Sequence, residues 1–134
     1  QVLLPMLDGE LSTALLGAAT SDRGRMEGSL AARAGAAVGV VVASEGYPDA
    51  AVTDRPLLGA EPSGPADTGP VLCFHAATRA TPGGCASSGG RVLTMVGLGV
   101  DLAEARQRAD AGVAGVQLDG SQHRTDIAER ELGG

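Results

Sequence analysis

Apolar residues group along this chain in three settings, and each setting predicts an element. The first is a pair of short unbroken runs. Residues 36–43 read Ala-Ala-Val-Gly-Val-Val-Val-Ala, and residues 71–76 read Val-Leu-Cys-Phe-His-Ala. Both are shorter than an ordinary helix and bounded by turn formers, and the first is rich in β-branched side chains, so both predict strands. The second setting is residues 87–104, the stretch around which the rest of the chain is arranged. Gly89 and Gly90 permit a sharp bend or a bulge. Val92, Leu93, Met95, Val96 and Leu98 then make a run of the kind found in strands covered on both faces, and Gly99 closes it. Asp101 and Glu104 follow in capping-box spacing. The third setting is helical: Leu102, Ala105, Ala109, Val113 and Val116 form one stripe, with Glu104 four residues before Arg108.

The flanks carry weaker signals. Residues 3–20 predict an entry segment and a helix, with Asp8 as cap and Leu11, Ala14, Leu15, Ala18 and Ala19 on one face. Gly9 and Gly17 weaken that helix, so it needs a surface to lie against. Residues 21–35, charged and small, predict a mobile connection. Residues 44–49 form a turn cluster in which Tyr47 precedes Pro48. Leu57 and Leu58 suggest a short edge strand. Residues 59–70 hold three prolines and three glycines and read as a loop, the stretch least suited to order. Residues 79–85, with Pro82-Gly83-Gly84, predict a hairpin-like turn into the glycine-led strand. Residues 126–132 predict a short last helix capped by Asp126. No internal repeat is visible.

Composition narrows the chemistry. At 134 residues the chain is one domain with a single core, and 43% of it is apolar. Tyr47 and Phe74 are the only aromatic rings, so that core must be built from Val, Leu and Ala. The net charge of −6 argues against a nucleic-acid partner, which needs a basic surface. All ten cations are arginines, which excludes lysine Schiff-base chemistry and the P-loop lysine for this chain taken alone. Cys73 and Cys85 lie outside any CxxC spacing and have only His75 and His123 for company, so the expectation is two reduced thiols and no metal site. With no signal peptide and no apolar run of membrane-spanning length, the expectation is a cytoplasmic protein with no membrane partner. The first residue is Gln1, as in a processed, trimmed or partial chain.

Among single residues, Arg91 stands out. A guanidinium beside two glycines offers a bidentate fork together with backbone N–H groups, which suits a phosphate. The competing reading makes the glycines a bulge and Arg91 a solvated strand start. His75, between Phe74 and Ala76, reads as a buried histidine bonded to a backbone carbonyl. Arg124 and Asp126 read as a surface ion pair. No nucleophile–base pair and no paired carboxylates stand out, so no catalytic residue is assigned.

Five segments also occur in a telling order: Gly46-Tyr47-Pro48, Phe74-His75-Ala76-Ala77-Thr78, Ser88-Gly89-Gly90-Arg91-Val92-Leu93, Asp101-Leu102-Ala103-Glu104-Ala105 and Arg124-Thr125-Asp126-Ile127. Together they resemble the C-terminal domain of the phosphoribosylamine–glycine ligases. Leu4-Pro5, Leu7, Leu11 and Leu15-Leu16 resemble the helix closing that family's ATP-grasp domain. The resemblance implies an α+β fold: a small, mostly antiparallel, barrel-like sheet with a covering helix, plus an N-terminal helix from the end of an ATP-grasp domain. Residues 1–35 would be that domain's end and the connection, and residues 36–134 the C-terminal ligase-type domain.

The family joins phosphoribosylamine to glycine in purine biosynthesis, using ATP and magnesium and passing through a glycyl phosphate. Only its last third is matched, and its nucleotide and magnesium ligands correspond to no position here. The resemblance therefore implies ATP and Mg in the parent enzyme, no cofactor for this chain alone, and no turnover by it alone. Its partners would be the missing ATP-grasp lobes, in the same or a separate chain, and a small-molecule substrate met by Gly89, Gly90 and Arg91. Two alternatives remain open: a stand-alone non-catalytic binding or assembly module, and a subunit of a split ligase. The chain departs from the family pattern at Asp49, Ala77 and Thr125, and it has Asp110 and Ser121-Gln122-His123 where the family has aromatics, which implies a divergent tail.

Overall fold

The computed structural model describes residues 1–61 and 69–133. A 3-10 turn (Leu4–Met6) leads into β1 (Leu7–Gly9), α1 (Leu11–Thr20), α2 (Arg23–Met26) and β2 (Leu30–Ala32). The strands β3 (Ala36–Ala43), β4 (Pro56–Leu57), β5 (Val71–His75), β6 (Thr78–Thr81), β7 (Gly84–Ser87) and β8 (Arg91–Gly99) follow. Helices α3 (Leu102–Ala114) and α4 (Glu129–Leu132) come last. The fold is α+β, and every strand pair among the described residues is antiparallel.

The glycine-led strand is central. β8 lies between β3 and β5, and its residues from Val92 to Gly97 are all buried, as its unbroken apolar run predicts. β3 alternates instead: Val38, Val40 and Val42 face the core while Val41 is exposed. Helix α3 covers the sheet, and glycine sets how closely it does so. A Cβ on Gly97 would stand 2.1 Å from the Ala105 carbonyl oxygen and 2.4 Å from the Ala109 nitrogen. A Cβ on Gly99 would stand 2.5 Å from the Ala105 nitrogen. The helix answers with alanine, and Ala105 and Ala109 are both 0% exposed. A core almost without rings is thus closed by bringing two backbones together rather than by filling the gap with large side chains. Leu93, Val40, Val42 and Val96 complete it, each worth roughly 1.5–3 kcal/mol of burial.

The start of α3 is capped as its sequence requires. Asp101 Oδ1 accepts from the Glu104 N–H at 2.8 Å. Glu104 Oε2 accepts from the Val100 N–H at 2.7 Å, one residue earlier than in the usual reciprocal box. Glu104 also pairs with Arg108 at 2.7 Å.

Four expectations change. The sheet does not curl into a barrel: the described strands form two three-stranded sheets, β3-β8-β5 and β4-β7-β6, and a two-stranded β1-β2 pair. The reason lies at Ala76 and Ala77, whose N–H groups bond the Val92 and Arg91 carbonyls at 2.9 and 3.0 Å. The chain turns there, and the β6–β7 hairpin pairs with β4 instead of extending β5. Residues 21–35, read as a mobile connection, contain α2 and β2, and β2 pairs with β1. Asp8 lies within β1 and faces Arg33 at 3.4 Å, so it caps nothing, and Glu10 at the α1 N-cap makes no side-chain capping bond. The last helix is only Glu129–Leu132, with Ala128 at its N-cap, because Asp126 is engaged by Arg124. Most of the loop read at 59–70 lies outside the described residues.

The N-terminal helix keeps an uncovered apolar face. Leu15 is 60% exposed and Leu16 49%, and Leu3, ahead of the 3-10 turn, is 69% exposed. Among the described residues of α1 only Gly17 is buried, where a Cβ would meet Met26 and Arg25 of α2.

Candidate functional site

Three segments far apart in sequence meet at one end of the β3-β8-β5 sheet. They are the turn after β3, the glycine loop before β8, and the tail after α3. Ser44 joins the first two. Its N–H donates to the Gly90 carbonyl at 2.8 Å, and its hydroxyl donates to the Gly89 carbonyl at 2.8 Å. Both carbonyls of the glycine pair are thereby held toward Ser44, which is 2% exposed. Among the described residues, the N–H groups of Gly89 and Gly90 donate to no protein acceptor. Ser44→Ala leaves the part-buried Gly89 carbonyl unpaired, so it should lower stability by about 1–2 kcal/mol in urea unfolding. The same change at the exposed Ser88 should stay within about 0.5 kcal/mol.

The glycines themselves are required for space. Neither Gly89 nor Gly90 has a positive φ. A Cβ on Gly90 would stand 2.3 Å from Cδ2 of the Tyr47 ring, and one on Gly89 would stand 3.0 Å from the Ala77 Cβ. The bend expected at the pair is instead a register shift just beyond it: Val42 pairs with Leu93 and Ala43 with Arg91, so Val92 is bulged out of the ladder. That bulge puts Val92 and Leu93 both at 0% exposure while Arg91 faces solvent.

The tail closes the third side. Ala43 and Gln122 exchange backbone bonds, N–H to oxygen, at 2.8 and 2.9 Å. The Gln122 amide Nε2 donates to the Tyr47 carbonyl at 2.8 Å and the Ser44 carbonyl at 3.2 Å. Arg106 of α3 fixes the tail from behind, bonding the Thr125 carbonyl at 2.5 Å, the Ile127 carbonyl, and the Asp110 carboxylate at 2.7 Å. The result is a cleft of about 330 Å³ with an apolar wall of Val41, Ala43 and Tyr47 and a polar wall of Arg91, Gln122, His123 and Arg124.

The two arginines differ. Arg124 is committed, its Nε bonding Asp126 Oδ1 at 2.7 Å and its second amine bonding Oδ2. Hydrogen bonding from Arg124 holds the exposed Asp126 carboxyl below the ordinary aspartate range. Because the folded value is the lower one, the pair is intact above the ordinary range and is lost as pH falls through the folded value. Release of Arg124 should therefore need a pH lower than the ordinary aspartate value of about 3.9, seen as movement of its Nε–H resonance that is absent in Asp126→Asn. Arg91 is uncommitted: among the described residues its guanidinium has no carboxylate partner.

The structure thus brings Gly89, Gly90 and Arg91 together with Tyr47 and Arg124. His75 lies elsewhere, half-buried, with Nε2 2.6 Å from the Ala60 carbonyl, which is the backbone-satisfied arrangement its sequence setting predicts. Among the described residues, no group of three or more His, Cys, Asp or Glu side chains is placed to hold a metal ion. No described helix is long and apolar enough to cross a membrane. Sequence reasoning passes over Ser44, Gln122 and Arg106, because each is an ordinary polar residue whose partners are distant.

Residues 37–130 match the family described as phosphoribosylglycinamide synthetase, C domain. The chain belongs to that family. In the relatives, the matching stretch is part of a longer protein. The phosphoribosylamine–glycine ligase of Streptomyces coelicolor is 44% identical over 133 residues, covering 99% of this chain and 32% of its own length. That of Leifsonia xyli is 43% identical over 132 residues, covering 97% of this chain and 31% of its own length. The crystal structure of phosphoribosylamine–glycine ligase from Thermotoga maritima superposes with a TM-score of 0.69 at 31% identity, over 87% of this chain and 27% of that one. The chain therefore spans about a third of the length of the curated relatives it matches.

Proposed function

We propose that this chain is the C-terminal portion of an ATP-dependent ligase that joins phosphoribosylamine to glycine in purine biosynthesis. Its cleft forms part of the substrate side of the active site. The observation that carries this reading is Arg91, whose guanidinium has no carboxylate partner among the described residues and which follows two glycines whose N–H groups donate to no described acceptor, within a domain whose relatives are phosphoribosylamine–glycine ligases. A 5-phosphate or ribose hydroxyl meets that group at Gly89, Gly90 and Arg91, with fork and N–H donors acting together. Tyr47 and Val41 supply an apolar wall against which a ribose can lie.

ATP and magnesium belong to the remaining lobes: among the described residues no acidic cluster is placed to hold a metal ion, and the sequence has no lysine. Those lobes are also its principal partner. Residues 1–35 form the end of the ATP-grasp domain, and the exposed leucines of α1 are the surface it packs on. A cytoplasmic location follows from the biosynthetic role. The same apolar face favours one further reading, a stand-alone assembly module whose α1 binds another protein.

The test is ADP release with ATP, magnesium, glycine and phosphoribosylamine. The chain is assayed alone and mixed with the upstream ATP-grasp fragment of a relative. Activity in the mixture only is the expected result. Activity of the chain alone overturns the assignment of the nucleotide site to the other lobes, and silence in both from folded protein leaves the assembly module.

A further inference from the structure

A second cleft, of about 480 Å³, opens on the β4-β7-β6 sheet, away from the glycine loop. Leu57, Gly59, Arg79 and Gly84 line it together with His75 and Cys85. His75 Nδ1 lies 3.9 Å from Cys85 Sγ and 2.9 Å from Thr78 Oγ1. The ring's other nitrogen fixes its tautomer. A carbonyl only accepts, so Nε2, 2.6 Å from the Ala60 oxygen, carries the proton, and the single lone pair of Nδ1 is shared between the Thr78 hydroxyl at 2.9 Å and the thiol at 3.9 Å. The Thr78 hydroxyl donates to that lone pair in the resting ring and turns to accept from Nδ1–H once the thiol proton has moved there. Nucleophile and base therefore lie within reach of each other, with the Ala60 carbonyl orienting the base, in a cleft large enough for a small molecule.

The geometry points to Cys85 as a modification site, where the thiol forms a mixed disulfide with a low-molecular-weight disulfide and His75 accepts its proton. The Cys85 sulfur gives its proton to Nδ1 and attacks one sulfur of the reagent. A new S–S bond forms, the reagent's own S–S bond breaks, and the departing thiolate takes the proton back from the imidazolium. Cys85 is oxidised, one reagent sulfur is reduced to a thiol, and no other oxidant enters.

Among the described residues, the charged groups lining this cleft are Arg79 and Glu61. Arg79 on β6 is bonded to Asp54 at 2.7 Å, and Glu61 stands at the cleft edge. Cys73 on β5 is the other thiol nearby; it is buried, and burial pushes it up further from ionisation. It serves as an internal control, because its reaction reports loss of the fold. The site is independent of the ligase reading.

The test treats the full chain with glutathione disulfide and locates adducts by mass spectrometry. One adduct at Cys85 and none at Cys73 is expected, with the Cys85 rate falling about tenfold or more in His75→Gln. An unchanged rate in His75→Gln, or reaction at Cys73 as fast as at Cys85, overturns the proposal. Should His75→Gln expose Cys73 and so prove unfolded, the unaltered chain decides. Its Cys85 should react faster at pH 7 than a cysteine in an unstructured peptide, and a slower reaction overturns the assignment.

Discussion

Replacing Gly97 with alanine should lower the stability of this domain by about 3 kcal/mol or more, the upper end of what overpacking a core costs. The added methyl carbon would lie 2.1 Å from one backbone atom of α3 and 2.4 Å from another. No side-chain rotation relieves such contacts. Either the helix lifts off β8, uncovering Ala105, Ala109 and the valines beneath, or the strand distorts within its ladder. Both outcomes open space along a core that has almost no large side chains to fill it. Urea unfolding measures the change, with Gly83→Ala as control, since a Cβ there meets nothing within 4 Å. A Gly97→Ala midpoint matching that control would contradict the account of how α3 is seated.

Arg91→Ala should have its effect on activity alone. Arg91 is exposed and has no carboxylate partner among the described residues, so the unfolding midpoint should move by less than about 0.5 kcal/mol. In a ligase reconstituted from this chain and an upstream fragment, kcat/KM for phosphoribosylamine should fall about 30-fold. That corresponds to roughly 2 kcal/mol, the scale of a hydrogen bond to a charged group. The KM values for ATP and glycine should hardly change. Arg91→Lys should recover part of the loss, because it restores the charge without the bidentate fork. A loss spread equally over all three substrates would mean that Arg91 supports the fold of the assembled enzyme rather than one ligand.

The parts of this architecture legible in the sequence are those whose information is local. β3 occupies Ala36–Ala43, where the apolar run stands, and the cap of α3 is formed by the two acids that signal it. The Gly89-Gly90-Arg91 cluster is visible for the same reason. What holds the cluster is not local. Ser44 reaches Gly89 across 45 residues, and Gln122 reaches Ser44 across 78. A serine opening a polar turn and a glutamine in a polar tail carry no periodicity to betray them. The β1–β2 pair escapes for a related reason: strands of three residues, each mostly exposed, are too short to show an alternating pattern. The barrel expectation fails at Ala76 and Ala77, two small residues whose composition permits either a continued strand or the turn that occurs.

The backbone exchange between Ala43 and Gln122 has a consequence for how this domain can change over evolutionary time. Main-chain bonds are blind to side-chain identity, so the path of the tail past the cleft does not depend on what Ser121 or His123 happens to be. Both are exposed. Gln122 is different, because its amide also spans the turn at Ser44 and Tyr47. Substitutions on either side of it, rings included, leave the path of the tail in place, and one at His123 alters only the wall that the tail presents to the cleft. A tail that looks degraded when compared letter by letter can therefore still be under selection at one position in three.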